Sequence, residues 1–315
     1  MIIILEGPDG AGKSTIVDEL RARLPDARAL HCGPLDGDPF VEYEGGLRSW
    51  DGYQPIICDR WHLGELIYGP MFRGESKLDA VGRWHVENYL AARGALQVII
   101  LPELSIVMDR LARRGDDMVS LEQISEIHSR YGIFSREDEP NLTTTVIGCD
   151  DALTCGKHEQ SIVDELVSWA FAGWLRTRAL RAFPSYVGSP SPDYLILGER
   201  RNDPVTYEAA FVPTGASSGR YMLEHLLPAL GDKTIGLANA LEENVYRLWV
   251  SLGRPPTIAL GNEAWRVAQQ FGIPVSGVPH PQFVRRFHHK SGALYARTII
   301  SALSTGEDLR SWRPA

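Results

Sequence analysis

The sequence predicts an α/β protein: a parallel sheet with helices on both faces, followed by a second, smaller, four-stranded parallel α/β/α domain. Three observations carry this reading. Short, fully apolar runs recur along the chain, amphipathic helical patterns lie between them, and a break rich in Pro, Gly and Ser (FPSYVGSPSPD) interrupts the alternation at 183–193. The 315 residues suffice for two ordinary domains, placed here at 1–183 and 184–315. A hydrophobic fraction of 44% and a charged fraction of 23% are globular values, which excludes wholesale disorder and fibrous architecture.

In the first half the expected strands are MIIIL, PIIC at 55–58, VIIL at 98–101 and TTTVIG at 143–148, runs that suit a sheet buried on both faces. After the first strand, Ile16, Val17, Leu20 and Leu24 recur at helical spacing, and 158–183 forms a long helical candidate with Ile162, Leu166 and Trp169 along one side. In the second half the expected strands are DYLIL, KTIGLA, TIAL and VSGV. Between the last two, Asn262 suits an N-cap and Gly272 a C′ position, with Trp265, Ala268 and Phe271 toward the core.

No apolar run approaches the roughly 18 to 20 residues of a membrane helix, and Met1–Leu5 lacks the basic flank of a signal peptide. The four cysteines, Cys32, Cys58, Cys149 and Cys155, form no Cys-x-x-Cys pair, so a reducing cytoplasm is the expected location and neither a disulfide scaffold nor a zinc site is indicated. The net charge of −8 disfavours indiscriminate polyanion binding. It is unevenly spread: residues 1–183 carry 19 Lys/Arg against 29 Asp/Glu, and residues 184–315 carry 13 against 11, so the second half is the one suited to approach nucleic acid.

The most specific signal is GPDGAGKST, Gly7 to Thr15, which matches G-x-x-x-x-G-K-[ST] directly after a strand and before a helix. Gly7, Asp9, Gly10, Ala11 and Gly12 form the loop whose backbone N–H groups approach phosphate oxygens. The helix start at Lys13, Ser14 and Thr15 adds its dipole, the Lys13 ammonium neutralises charge, and the Ser14 hydroxyl is suited to ligate Mg²⁺. ATP with Mg²⁺ is the expected ligand.

EGPDGAGKST closely resembles the P-loop of thymidylate kinases and their deoxynucleoside-kinase relatives, a resemblance that covers roughly the first half. Those enzymes place an Asp-Arg or Glu-Arg pair at the end of the third family strand, and IICDRW supplies Asp59 and Arg60. The resemblance implies that Asp59 holds Mg²⁺ or its water, or orients the attacking oxygen, while the Arg60 guanidinium engages the acceptor or the transferred phosphoryl. A third family element is an arginine-rich lid; Arg110, Arg113 and Arg114 in PELSIVMDRLARRGDD share a helical face and are assigned that catalytic role. DRWHLGELIYGP resembles phage-type deoxynucleotide kinases, which assigns Trp61, Glu65 and Tyr68, with Asp9 and Arg60, to the acceptor pocket. The family's Arg-Glu-Pro stretch is replaced here by HCGPLDGDP, without the arginine, and this leaves the acceptor open. The family analogy also implies a homodimer through the long helices.

In the second half, polar residues follow each strand: LGERRND, LAN, LGNEAW and PHPQF. Together they resemble the uracil-DNA glycosylase superfamily, which implies a base pocket of Gly198, Glu199, Asn202, Phe211, Asn239 and His280, with Arg285, Arg286, His288, His289 and Lys290 near phosphates. Arg200-Arg201-Asn202 stand where glycosylases have Ala-Pro-Gly, so strong hydrolytic activity is not expected. Three functions follow. The first is phosphorylation of a thymidylate-like pyrimidine deoxynucleotide by ATP. The second is phosphorylation of a hydroxymethylpyrimidine within DNA, the glycosylase-like half presenting the flipped base. The third is a nucleotide kinase carrying a nucleic-acid-binding module.

Overall fold

The computed structural model describes residues 1–48, 50, 52–115, 119–136, 141–148, 159–199, 206–215 and 217–313, the side chains of 159–161 aside. Its contacts divide the chain into two compact units, residues 1–79 with 93–176 and residues 80–92 with 177–315. The sequence places the boundary at 183/184. The contacts differ from this in ending the first unit at Arg176 and in assigning the helical segment 80–92 to the second.

The first unit is a five-stranded sheet, β1 (Ile2–Glu6), β2 (Arg28–His31), β3 (Ile56–Asp59), β4 (Leu96–Ile100) and β5 (Thr144–Ile147), in the order β2-β3-β1-β4-β5 with every pairing parallel. The unit's helices are α1 (Lys13–Arg23), α2 (Pro39–Arg48), α3 (His62–Arg73), α5 (Leu104–Arg114), α6 (Leu121–Phe134) and α7 (Glu159–Arg176), while α4 (Ala80–Ala91) counts with the other unit. Because successive strand side chains point to opposite faces, Ile3 and Leu5 pack with Ile16 and Leu20 of α1 and Leu166 of α7. On the opposite face Ile99 packs with Leu63, Ile67, Val107 and Tyr131. Both faces are thereby covered by helices, as an all-parallel sheet requires. The edge strand β2 has alternating partial exposure and no apolar run, so it gives no strand signal in the sequence. Trp169, expected beside Leu166, is 42% exposed and does not join the core.

The second unit contains β6 (Val187–Gly188), β7 (Tyr194–Gly198), β8 (Ile235–Asn239), β9 (Thr257–Leu260) and β10 (Val275–Val278), in the order β10-β9-β7-β8-β6. The four expected strands are present and parallel; β6 is a two-residue antiparallel addition beside β8. Helices α8 (Ser218–Leu230), α9 (Val245–Ser251), α10 (Asn262–Gln270), α11 (Pro281–Phe287) and α12 (Gly292–Thr305) complete the unit. Within it α4 is tied down by polar contacts: the His85 ring lies 3.0 Å from the Ala210 carbonyl, and the Tyr89 hydroxyl donates to Glu208 at 2.9 Å. Helix α10 is capped by Gly261 rather than Asn262, and Phe271 is 45% exposed instead of core-facing, whereas Gly272 takes the left-handed conformation expected past a helix end. Among the described residues no helix is long and apolar enough to cross a membrane.

Candidate active site

Strand β1 delivers the glycine loop to the C-terminal end of the sheet, where α/β proteins bind ligands. Gly7 has φ +144° and a Cβ there would lie 2.3 Å from the Ile100 carbonyl oxygen, so both conformation and space require glycine. Gly12 caps α1 at φ +101° with no side-chain hydrogen bond, and the first turn of α1 holds no acidic residue. The N–H groups at this helix start therefore lack a side-chain acceptor, and the dipole favours an anion there. Lys13 is buried and donates to the carbonyls of Gly7 and Pro8 at 2.8 and 2.7 Å. Burial, reinforced by the positive charge of Arg60, lowers its ammonium pKa to about 8. Ser14 and Thr15 are exposed in the first turn of α1, open to a ligand.

Asp59 and Arg60 lie beside this loop because β3 pairs with β1, Leu5 opposite Asp59. One Asp59 carboxylate oxygen, Oδ2, is 3.2 Å from the His31 ring; the other, Oδ1, is buried without a hydrogen-bond partner. A buried acceptor that nothing satisfies is what a cation or a donating ligand would complete. Ser14 and Asp59 therefore fit the expected Mg²⁺, which binds through one or two protein oxygens and takes its other ligands from phosphates and water. Among the described residues no cluster of three or more His, Cys, Asp or Glu forms a dedicated metal cage.

Arg60 sits at φ +63°, in the left-handed region that costs a non-glycine residue about 1–2 kcal/mol. Its N–H donates to the Leu5 carbonyl at 2.9 Å. Beyond it, the Trp61 side chain does not cap α3; the Glu6 carboxylate does so from the end of β1, its Oε1 accepting the N–H groups of Trp61 at 2.9 Å and Leu63 at 3.1 Å. Tyr131 donates to Glu6 Oε2 at 3.2 Å. Glu6 is fully buried, and burial raises its pKa despite the nearby His62 and the hydrogen bonds from Trp61 and Tyr131. Sequence reasoning missed Glu6; the available signal was a carboxylate ending an otherwise wholly apolar strand.

From this turn the Arg60 guanidinium reaches back to the loop and pairs with Asp9, and it stacks 5.2 Å from the Tyr68 ring, whose hydroxyl donates to Asp9 at 3.3 Å. Burial works to raise the Asp9 pKa, but the charges of Arg60 and Lys13 outweigh it and hold the carboxyl below the usual value. Beside this cluster opens a cavity of 260 Å³ whose lining includes Cys32, Trp61, Glu65, Tyr68, Phe72 and Arg73. The acceptor residues expected from the sequence are thus brought together, with one difference. Glu65 Oε1 is held by the Arg73 guanidinium and by the Lys77 N–H at 2.8 Å, so this oxygen is committed to the protein. The thiol of Cys32, which the sequence did not single out, is pushed up to about 12 by burial and stays protonated.

The three arginines expected to form a lid separate. Arg110 donates to the carbonyls of Gly10 and Ala11 at 3.3 and 3.1 Å, directly on the glycine loop. Arg113 instead pairs with Asp109 one turn away and is 78% exposed, and Arg114 is exposed in the last turn of α5. A shared helical face does not give the three a shared set of contacts: among the described residues, Arg110 is the one of the three with a hydrogen bond to the glycine loop.

In the second unit, five of the six expected pocket residues converge at the C-terminal end of the sheet; Asn202 lies outside the described residues. A Cβ on Gly198 would strike the Phe211 ring at 2.4 Å and approach Asn239 Oδ1 at 3.1 Å, and Phe211 itself sits at φ +57°. A Cβ on Gly261 would meet Glu199 Oε1 at 2.7 Å and the His280 Cβ at 3.3 Å. The His280 Nδ1 accepts the Gln282 N–H at 3.2 Å, which leaves Nε2 as the protonated nitrogen of the neutral ring. Burial lowers the His280 pKa against the opposing charge of Glu199. Arg285 and Arg286 occupy the last turn of α11, with His289 and Lys290 exposed beyond it.

No protein-family model matches the chain. Over 134 residues it is 26% identical to the SPbeta prophage-derived uncharacterized protein YorR of Bacillus subtilis (strain 168), spanning 41% of this chain and 79% of YorR. A solved structure of YorR in complex with phosphorylated GDP superposes with a TM-score of 0.45 at 22% identity, covering 55% of this chain and 98% of YorR. Deoxyadenosine kinase from M. mycoides with bound dATP gives a TM-score of 0.37 at 17% identity, covering 53% of this chain and all of that enzyme, 100%. Over 145 residues the chain is 25% identical to guanylate kinase of Carboxydothermus hydrogenoformans, spanning 37% of this chain and 66% of the enzyme. The N-terminal region of this chain resembles a nucleotide kinase in sequence.

Proposed function

We propose that the first unit transfers the γ-phosphoryl group of ATP to a pyrimidine deoxynucleoside compound, a class that includes the thymidylate-like acceptor expected from the sequence and the corresponding nucleoside. The observation that carries this reading is the Arg60–Asp9 ion pair, which joins the acceptor cavity to the phosphate loop and sets Asp59 beside both. In this reading the N–H groups of the loop and of the α1 start hold the triphosphate, and Lys13 exchanges its two carbonyl contacts for phosphate oxygens. Arg110 offsets the charge that develops on the transferring group. Asp59 and Arg60 aim the acceptor oxygen, while the rings of Trp61, Tyr68 and Phe72 exclude water and stack on the base. Bound Mg²⁺, held by Ser14 and Asp59, supplies neutralisation of the phosphate charge.

The test is incubation of the full chain with Mg²⁺ and γ-labelled ATP across a panel of nucleosides and monophosphates, alongside equilibrium binding of ATP to the wild type and to Lys13→Ala. Acceptor labelling with loss of ATP binding in the variant is the expected result; no labelled acceptor together with unchanged ATP binding would refute the reading.

A second reading concerns the other unit. The Phe211 ring against Gly198 and Asn239, with Glu199 and His280 at Gly261, supports a nucleobase site that stacks the base and reads its polar edge. That site serves either the phosphorylation of a hydroxymethylpyrimidine within DNA or DNA binding alone. Retention of the full chain on single-stranded DNA, lost in Phe211→Ala, is expected; equal retention of both proteins would remove this reading.

A further inference from the structure

We propose that the oxygen phosphorylated in the first unit belongs to an uncharged primary hydroxyl, not to a phosphate, and that Glu65 sets this choice by cancelling the charge of Arg73 as Asp9 cancels that of Arg60. The inference rests on the phosphoryl-transfer reading above and narrows its acceptor. A monophosphate brings close to two negative charges, and seating it in a partly buried cavity requires surplus cations to replace its lost hydration. Among the described residues two cations line the cavity, Arg60 and Arg73. Each is already neutralised by a carboxylate of the same unit. The Glu65 side chain is 3% exposed and is further pinned by the Lys77 N–H, so it cannot swing away to release Arg73. Asp9 is pinned in turn by Tyr68. The Lys77 ammonium is also occupied, donating to the Leu35 carbonyl at 2.7 Å.

What the cavity offers instead suits a neutral guest. Its lining is rich in aromatic surface from Trp61, Tyr68 and Phe72, and the buried Trp61 Nε1 and Arg60 Nε lack hydrogen-bond partners. An aromatic wall with no uncommitted charge suits a flat, uncharged pyrimidine. In the transfer itself the hydroxyl oxygen forms a bond to the γ-phosphorus of ATP as the bond from that phosphorus to the β–γ bridging oxygen breaks. ADP leaves with that electron pair, and the hydroxyl proton passes to water.

The experiment compares pyrimidine nucleosides, their 5′-monophosphates, and DNA carrying a hydroxymethylpyrimidine as acceptors for γ-labelled ATP, using the full chain. Label on the nucleoside or on the hydroxymethyl group, with kcat/KM at least about 100-fold above the monophosphate, is expected, and the two arms separate a free nucleoside from a base in DNA. Comparable or better labelling of the monophosphate overturns the inference while leaving phosphoryl transfer standing. Labelling of no acceptor by a protein that still binds ATP removes both. The Glu65→Gln variant adds a test by gain of function: freeing Arg73 should raise the monophosphate-to-nucleoside ratio of kcat/KM, and of binding affinity measured by titration, by about tenfold or more. Should Glu65→Gln fold poorly, Asp9→Asn releases Arg60 in the same way and is read by the same binding ratio. An unchanged ratio in a folded variant overturns the proposal.

Discussion

Replacing Glu6 tests whether one buried carboxylate holds the turn on which the site depends. Its Oε1 accepts two backbone N–H groups at the start of α3, and Oε2 accepts the Tyr131 hydroxyl. Glu6→Ala leaves three buried donors without an acceptor. At about 1–3 kcal/mol for each unmet group, less whatever relief comes from no longer burying a carboxylate, the expected loss is about 3 kcal/mol. Glu6→Gln keeps an acceptor oxygen for Trp61 and Leu63 and should cost at most about 1 kcal/mol at low pH. The pH dependence then separates charge from shape. Burial raises the folded-state pKa of Glu6 above the ordinary glutamate value of 4.5, so its protonation stabilises the fold fully below 4.5, and that contribution is lost as pH rises through the folded value. Glu6→Gln has no such titration, and its stability relative to wild type should improve as pH rises across this window. Urea unfolding at stepped pH measures the difference, and hydrogen exchange at the Trp61 and Leu63 amides localises it to the turn. An alanine variant within about 0.5 kcal/mol of wild type, or a glutamine variant whose difference from wild type is flat with pH, would refute the reasoning.

Gly7→Ala places a methyl 2.3 Å from the Ile100 carbonyl at φ +144° and should destabilise the first unit by more than about 3 kcal/mol or abolish ATP binding, as thermal melting with and without ATP would reveal. Arg110→Ala should lower kcat by about 100-fold, whereas Arg113→Ala, which breaks only an exposed i,i+4 pair, should change it less than about threefold; steady-state kinetics of the two variants decide which arginine serves the loop. Gly198→Ala drives a Cβ into the Phe211 ring and should weaken DNA retention by about tenfold while leaving ATP binding unchanged, measured by fluorescence anisotropy and calorimetry.

What the sequence determined by itself is whatever its local order encodes. Nine contiguous residues specify the glycine loop, because glycine conformations, the helix start and the lysine all belong to one turn. Buried parallel strands announce themselves as apolar runs, which is why β1, β3, β4 and the parallel strands of the second unit are legible. The edge strand β2 is half exposed and β6 is only two residues long, so neither leaves a comparable trace. The aromatic positions Trp169 and Phe271 followed helical spacing yet remain exposed, since periodicity identifies a face without saying what covers it.

The tertiary structure alone decided which charges meet. Arg60 and Asp9 are 51 residues apart, and Glu6 caps a helix 55 residues further along the chain. No spacing rule connects such partners, because only the lateral order β3-β1-β4 brings the ends of those strands side by side. The same reason placed Arg110 on the loop and left Arg113 in solvent. It also assigned residues 80–92 to the second unit, where His85 and Tyr89 find their partners near Ala210 and Glu208. Ending the chain before residue 184 would strip α4 of those contacts, so the separate roles of the units are best tested by point variants of the whole chain. Local sequence fixes backbone conformation and the pattern of burial; Coulomb and hydrogen-bond energies depend on separations of a few ångströms, and those distances exist only once the sheet has assembled.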